Sequence, residues 1–261
     1  KTALNYIHWK LISTKIFKRL FLFSWPFFII SGSTWATMSI DKFIGAGTLT
    51  NDDEIAILAL SMQLCLPIVV VADMIRTAIG PFIMSIKDDK NAKQTYQQVF
   101  DLSVFSSLLV LVGIVIFTPF LVQVLADDSF MKSILVIPLI AFASVFSMIS
   151  NQFSISFSLV KKNGYILIPT IISSIIVVAG NSFYMGQFGF IVSGVSQVIA
   201  GILMATILFI IGKKVTDLNI KLLNSVILLL IASCFVAAVY WDMNAILNGS
   251  EINYELSDFL D

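Results

Sequence analysis

Seven long apolar runs, at residues 20–44, 55–86, 100–125, 133–159, 165–185, 189–211 and 221–241, alternate along the chain with short polar connections. Each run reaches the roughly 20 residues needed to cross about 30 Å of hydrocarbon at 1.5 Å per residue. The pattern predicts an all-α integral membrane protein of about seven transmembrane helices. The second run is longer than one upright crossing requires, so it is expected to tilt or to extend beyond the membrane. Polar residues 90–98 predict a short interfacial helix before the third span. The short connection at residues 186–189 predicts an antiparallel helical hairpin.

Charge adds a direction. Thirteen of the sixteen Lys and Arg residues fall in four patches: Lys1, Lys10, Lys15, Lys18 and Arg19; Lys87, Lys90 and Lys93; Lys161 and Lys162; Lys213, Lys214 and Lys221. The connections between the patches are acidic or neutral, and residues 242–261 hold five acids and no base. Cytoplasmic loops retain Lys and Arg, so the N-terminus is expected to be cytoplasmic and the C-terminus extracytoplasmic. The expected divisions are a basic cytoplasmic segment at 1–19, a six-helix bundle at 20–215, a further helix at 216–241 and an acidic tail at 242–261.

A composition 58% hydrophobic with 22 Phe is far from that of a soluble domain. The net charge of zero hides the asymmetry between the faces and gives no sign of a nucleic-acid partner. Cys65 and Cys234 lie inside apolar runs and are expected to be buried and unpaired. His8 has no second ligand at helical spacing, so no metal site is expected. No nucleophile, base and orienting acid occur together, so no enzyme is expected. The chain begins with Lys and is expected to be a piece of a longer protein.

Polar residues inside the apolar runs are the candidate functional groups, because an ionised side chain at the bilayer centre costs about 2.5–3.5 kcal/mol on insertion scales. Asp73 and Arg76 share a helical face with Gly80, close to Thr77, in the middle of the second run. They form either a self-neutralising pair or part of a substrate or ion pathway. Arg76 suits a phosphate by forked hydrogen bonding, and Asp73 can orient it or exchange a proton. In the fourth span Ser144, Ser147, Asn151, Ser154 and Ser158 recur at steps of three and four, which forms one stripe open to either packing or cavity lining. In the first span Ser31, Thr34 and Asp41 share a face behind Pro26. Asp41 is read as an outer gate or an interfacial cap, and Lys42 as snorkelling outward. Asn181, Ser193, Ser196 and Gln197 are isolated polar residues among small ones, expected to serve close helix packing. The Phe and Met residues are expected to face lipid.

Phe23-Ser24-Trp25-Pro26 opening the first span, Asp41-Lys42-Phe43 closing it, Pro81-Phe82 in the next span and the turn at Phe188-Gly189-Phe190 together resemble the C-terminal half of Wzx-type bacterial polysaccharide flippases. These belong to the superfamily that also contains MATE exporters. The resemblance covers about residues 17–215. It departs at Val192-Ser193-Gly194, where the family has a Gly-Ala-Ala run, and the Asp73/Arg76 pair maps onto no general family motif. It implies one bundle of a two-bundle, MATE-like transporter in the bacterial inner membrane. Such a transporter flips a polyprenyl-pyrophosphate-linked glycan by alternating access, with the preceding bundle of the same protein and membrane lipids as partners. No cofactor is expected beyond a proton or sodium ion for coupling. The alternatives are a multidrug or cation antiporter in which Asp73 carries the exchanged ion, and a non-catalytic scaffold for glycan synthesis.

Overall fold

The computed structural model describes residues 13–49, 52–85, 92–125, 128–160, 162–215 and 221–258. Every regular element among them is helical: α1 (Thr14–Thr48), α2 (Asp52–Leu64), α3 (Leu66–Ser85), α4 (Ala92–Leu125), a 3₁₀ segment (Asp128–Leu135), α5 (Ile137–Leu159), α6 (Gly164–Phe188), α7 (Ile191–Val215) and α8 (Leu223–Asp258). Six helical stretches are long and apolar enough to cross a membrane, and α1, with 35 residues, has the length of a seventh. The protein is an all-α, multi-pass membrane protein.

The helices pack in the order α1, α6, α7, α5, α4, α8, with α3 against both α4 and α5. Apolar side chains gain little by leaving lipid for a bundle core, so close approach and polar bonds hold such helices together. Small residues supply the approach. A Cβ on Gly194 would stand 2.9 Å from the Leu139 Cβ, and one on Gly201 would stand 2.9 Å from the Phe146 Cβ, so α7 and α5 meet nearly backbone to side-chain root. Gly180 of α6 lies directly against Ser196 of α7. The α6–α7 turn is closed by Gly189 at φ +68°, a left-handed conformation that suits glycine after a helix, and its N–H donates to the Met185 carbonyl.

Polar bonds then tie α4 to its neighbours. The Tyr96 hydroxyl donates to the Gln152 carbonyl at 2.7 Å and lies 2.9 Å from the Ser156 Oγ, and Gln152 Nε2 donates to the Ser103 Oγ at 2.8 Å, all of it buried. Gln97 pairs through both ends of its amide with the backbone N–H and carbonyl of Lys221, fixing the approach to α8. Asp101 accepts bonds from Gln97 and Ser225 beside it. Phe100 stacks on Phe153 and Phe209 meets Phe153 at a tilt, so the three rings run across α4, α5 and α7 with centroids 5.4 and 5.7 Å apart.

Several expectations need correction. The second apolar run is two helices, broken at Cys65. Pro67 cannot donate to the Gln63 carbonyl and its ring would clash there, but at the second position of α3 the lost donor is harmless. Ile68 N–H bonds the Cys65 carbonyl instead, and the Cys65 thiol reaches the Ile137 carbonyl at 3.5 Å. The helix continues through Gly80-Pro81. The polar stretch before the third span is the first part of α4, since residues 92–98 contain no Gly or Pro to interrupt it. Phe100, Phe153 and Phe157 are core residues, not lipid-facing bulk, and Cys234 is exposed on α8 while Cys65 is buried.

Because Cys65 lies level with the first residue of α5, α2 runs across the Gly189 end of the bundle, with Glu54 near Gly189 and Ile55 near Gly45. The 20 residues of α3 rise about 30 Å, and the apolar stretch Glu54–Ile75, long enough to cross a membrane, runs from α2 into this helix.

Gly201→Leu is expected to destabilise the bundle by about 1–3 kcal/mol through overpacking against Phe146, whereas Gly113→Leu, where a Cβ meets nothing within 4 Å, should change little. Thermal unfolding of the two variants in detergent checks the contrast.

Candidate functional site

Two polar constellations occupy the membrane-spanning part. The first is on α3. Asp73 and Arg76 are the eighth and eleventh of its 20 residues, near the middle of the helix. Asp73 and Thr77 are exposed, and with Val70, Met74 and Ala78 they line an open groove of about 490 Å³. The Arg76 side chain lies outside the described residues, as does that of Thr34 on α1.

The α5 stripe sits at the same depth, since α3 and α5 start level and run in the same direction. Ser147 is exposed, and Ser144, Asn151 and Ser154 are half-buried. Ser144 donates to the Ile140 carbonyl and Ser154 to the Ser150 carbonyl, both at 2.9 Å, so these hydroxyls satisfy their protons within their own helix. Their remaining lone pairs stay available to a neighbour. Ser158 lies 3.3 Å from the Ser154 carbonyl and also donates to the Asn163 Oδ1 at 2.9 Å, at the α5–α6 turn.

The second constellation centres on Asp41 of α1, which is fully buried. Asn181 Nδ2 of α6 donates to one carboxylate oxygen, and Gln197 Nε2 of α7 donates to the other at 2.6 Å. Ser193 accepts from the same Gln197 amide at 3.3 Å. Asn181 and Gln197 each lie eight residues from Gly189, so the hairpin brings them to one depth. Asp41, seven residues before the end of α1, meets them there. Asn181 Oδ1 is buried with no hydrogen-bond partner among the described residues. An unpaired acceptor beside a carboxylate and a hydroxyl is an all-oxygen set, of the chemistry that suits a hard cation or a proton rather than a soft metal. Among the described residues no three His, Cys, Asp or Glu side chains gather.

The chain spacing suggested that Asn181, Ser193 and Gln197 serve packing only. They do pack, but they also close around Asp41, and their equal distance from the hairpin turn was the available signal. Asp41 is neither an exposed cap nor paired with its neighbour Lys42, which is exposed.

A model of the polysaccharide biosynthesis protein family matches residues 3–134. The chain belongs to this family. No curated protein and no solved structure gives a match. The matched part of the chain holds α1 to α4, including Asp41 and Asp73, while the partners of Asp41 on α6 and α7 lie beyond it.

Asn181→Ala is expected to cost about 1–3 kcal/mol of stability, because it leaves a buried carboxylate short of a donor. In a double-mutant cycle with Asp41→Asn the two changes should couple by about 0.5–3 kcal/mol. Additive losses on unfolding in detergent would show that the two side chains do not act together.

Proposed function

We propose that this chain forms one bundle of a two-bundle transporter that flips a polyprenyl-pyrophosphate-linked oligosaccharide across the bacterial inner membrane by alternating access. Membership of a polysaccharide biosynthesis family and a multi-pass helical architecture support a role at the membrane step of glycan assembly. The observation that carries the transport reading is the exposed carboxylate of Asp73 near the middle of the apolar helix α3, lining an open groove. A charge there is costly against lipid, so a face that bears it belongs to a wet cavity. In this reading the α3 groove and the Ser144, Ser147 and Asn151 stripe form one polar wall along which glycan hydroxyls exchange hydrogen bonds. Arg76 contacts the pyrophosphate, and the polyprenyl tail stays in lipid. The basic end of the bundle is cytoplasmic.

The Asp41 cluster is the better place for ion coupling than Asp73. Taking up a proton or sodium ion at Asp41 changes what the carboxylate asks of Asn181 and Gln197, and so biases how α1 packs on α6 and α7. The same cluster favours, as a second reading, a cation-coupled antiporter of organic cations.

Arg76→Ala and Asp73→Asn in the full-length protein should each reduce surface polysaccharide at least about tenfold, the effect of losing one charge-assisted hydrogen bond, at unchanged protein level. Normal export in both variants would remove the α3 wall from the mechanism. Resistance to cationic dyes without any glycan phenotype would favour the antiporter.

A further inference from the structure

Helix α1 is longer than a membrane crossing needs. From Pro26 to its end at Thr48 it has 23 residues, which rise about 34 Å and suffice to span the hydrocarbon. Residues 14–25 add about 18 Å more. Every described side chain at positions 13–25 is exposed, whereas Pro26 is buried. Ile16, Phe17, Leu20, Phe21 and Leu22 are between 58% and 63% exposed, and Phe17 stacks on Phe21 with centroids 6.4 Å apart. So large an apolar surface does not stand in water. At 3.6 residues per turn Lys15, Lys18 and Arg19 fall within an arc of about 100°, with Leu22 among them. Ile16, Phe17, Leu20 and Phe21 occupy the opposite side, and Trp25 sits beside the proline.

We propose that residues 14–25 form an amphipathic arm, hinged at Pro26, that lies in the plane of the membrane surface and docks on anionic phospholipid headgroups. Surplus length takes the arm out of the hydrocarbon. Its apolar side enters the boundary between headgroups and acyl chains, and its bases reach the lipid phosphates, the arrangement of an interfacial helix. Pro26 removes the hydrogen bond to the Leu22 carbonyl, which lets the helix bend where crossing ends and arm begins. The arm thereby anchors the end of α1 opposite to the one held by Asp41.

The test uses the full-length protein in vesicles, with Cys234→Ser removing the exposed thiol and Cys65 left buried. Single cysteines replace Lys15, Phe17, Lys18 or Phe21, all exposed positions, and carry an environment-sensitive fluorophore. In vesicles containing phosphatidylglycerol, the label at 17 and 21 should be quenched by shallow nitroxide lipids, and the label at 15 and 18 by aqueous iodide. Neutralising the bases one after another (Lys15→Gln, Lys18→Gln, Arg19→Gln), read from the label at 21, should lower the docked-to-undocked ratio about fivefold per base. Vesicles of phosphatidylcholine alone should show no such dependence. Equal iodide access at all four positions would overturn the proposal. So would a depth that rises steadily with residue number whatever the helix face, which marks a transmembrane continuation, or docking that is indifferent to phosphatidylglycerol.

Discussion

Hydrocarbon offers no hydrogen bonds, and this one constraint shapes the whole bundle. Each polar group carried into the membrane must be met by another group of the chain or by water in a cavity. The backbone answers by being helical throughout the described residues. The side chains answer in two ways. Ser and Thr residues bond back to the carbonyl four residues earlier, as Ser61, Thr118, Ser144 and Thr170 do. Larger polar groups cannot satisfy themselves locally, so Tyr96, Gln152, Asn181 and Gln197 reach across to other helices. Those crossings join α4 to α5 and α1 to α6 and α7, and the glycine contacts on α7 let the backbones come close enough for them to form.

The break at Cys65 shows how a single residue redistributes depth. One uninterrupted helix would have its midpoint near residue 70. With Pro67 starting a new helix, the midpoint of α3 falls between Asp73 and Arg76. The preceding 13 residues of α2 then cover the Gly189 end of the bundle, between the end of α1 and the start of α5. The central place of Asp73 and Arg76 in α3 and the cap over one end of the bundle are thus consequences of the same backbone event.

The two polar constellations differ in kind. Around Asp73 the groups are exposed and line an open groove, which suits a bulky hydroxyl-rich substrate that must enter and leave. Around Asp41 they are sealed among three helices, which suits something as small as an ion or a proton. In the proposed reading, substrate handling and energetic coupling fall to different helices, and α1 serves both ends of the bundle: it carries Asp41, and at its basic end the proposed arm at residues 14–25.

The sequence by itself determined the class of this protein, because crossing length, apolar continuity and the exclusion of charge are properties of one helix at a time. It located the apolar runs and the α6–α7 hairpin, though not the break in the second run or the early start of α4, and it singled out Asp73, Arg76 and Asp41 as unusual groups. The resemblance carried by Asp41-Lys42-Phe43 and its companion motifs pointed to polysaccharide assembly, which the family match supports at that coarser level. Tertiary structure alone decided which polar residues meet. Asn181 and Gln197 read as packing residues because each is isolated in its own helix, and only the hairpin register and the docking of α1 bring both onto a carboxylate 140 and 156 positions away. Packing also decided that Phe100 and Phe153 are core while Phe17 and Phe21 are not, since a phenyl ring is equally at ease in lipid and in a helix interface. Inside a membrane, hydrophobicity says that a helix crosses; which face looks inward is settled by the neighbours it touches.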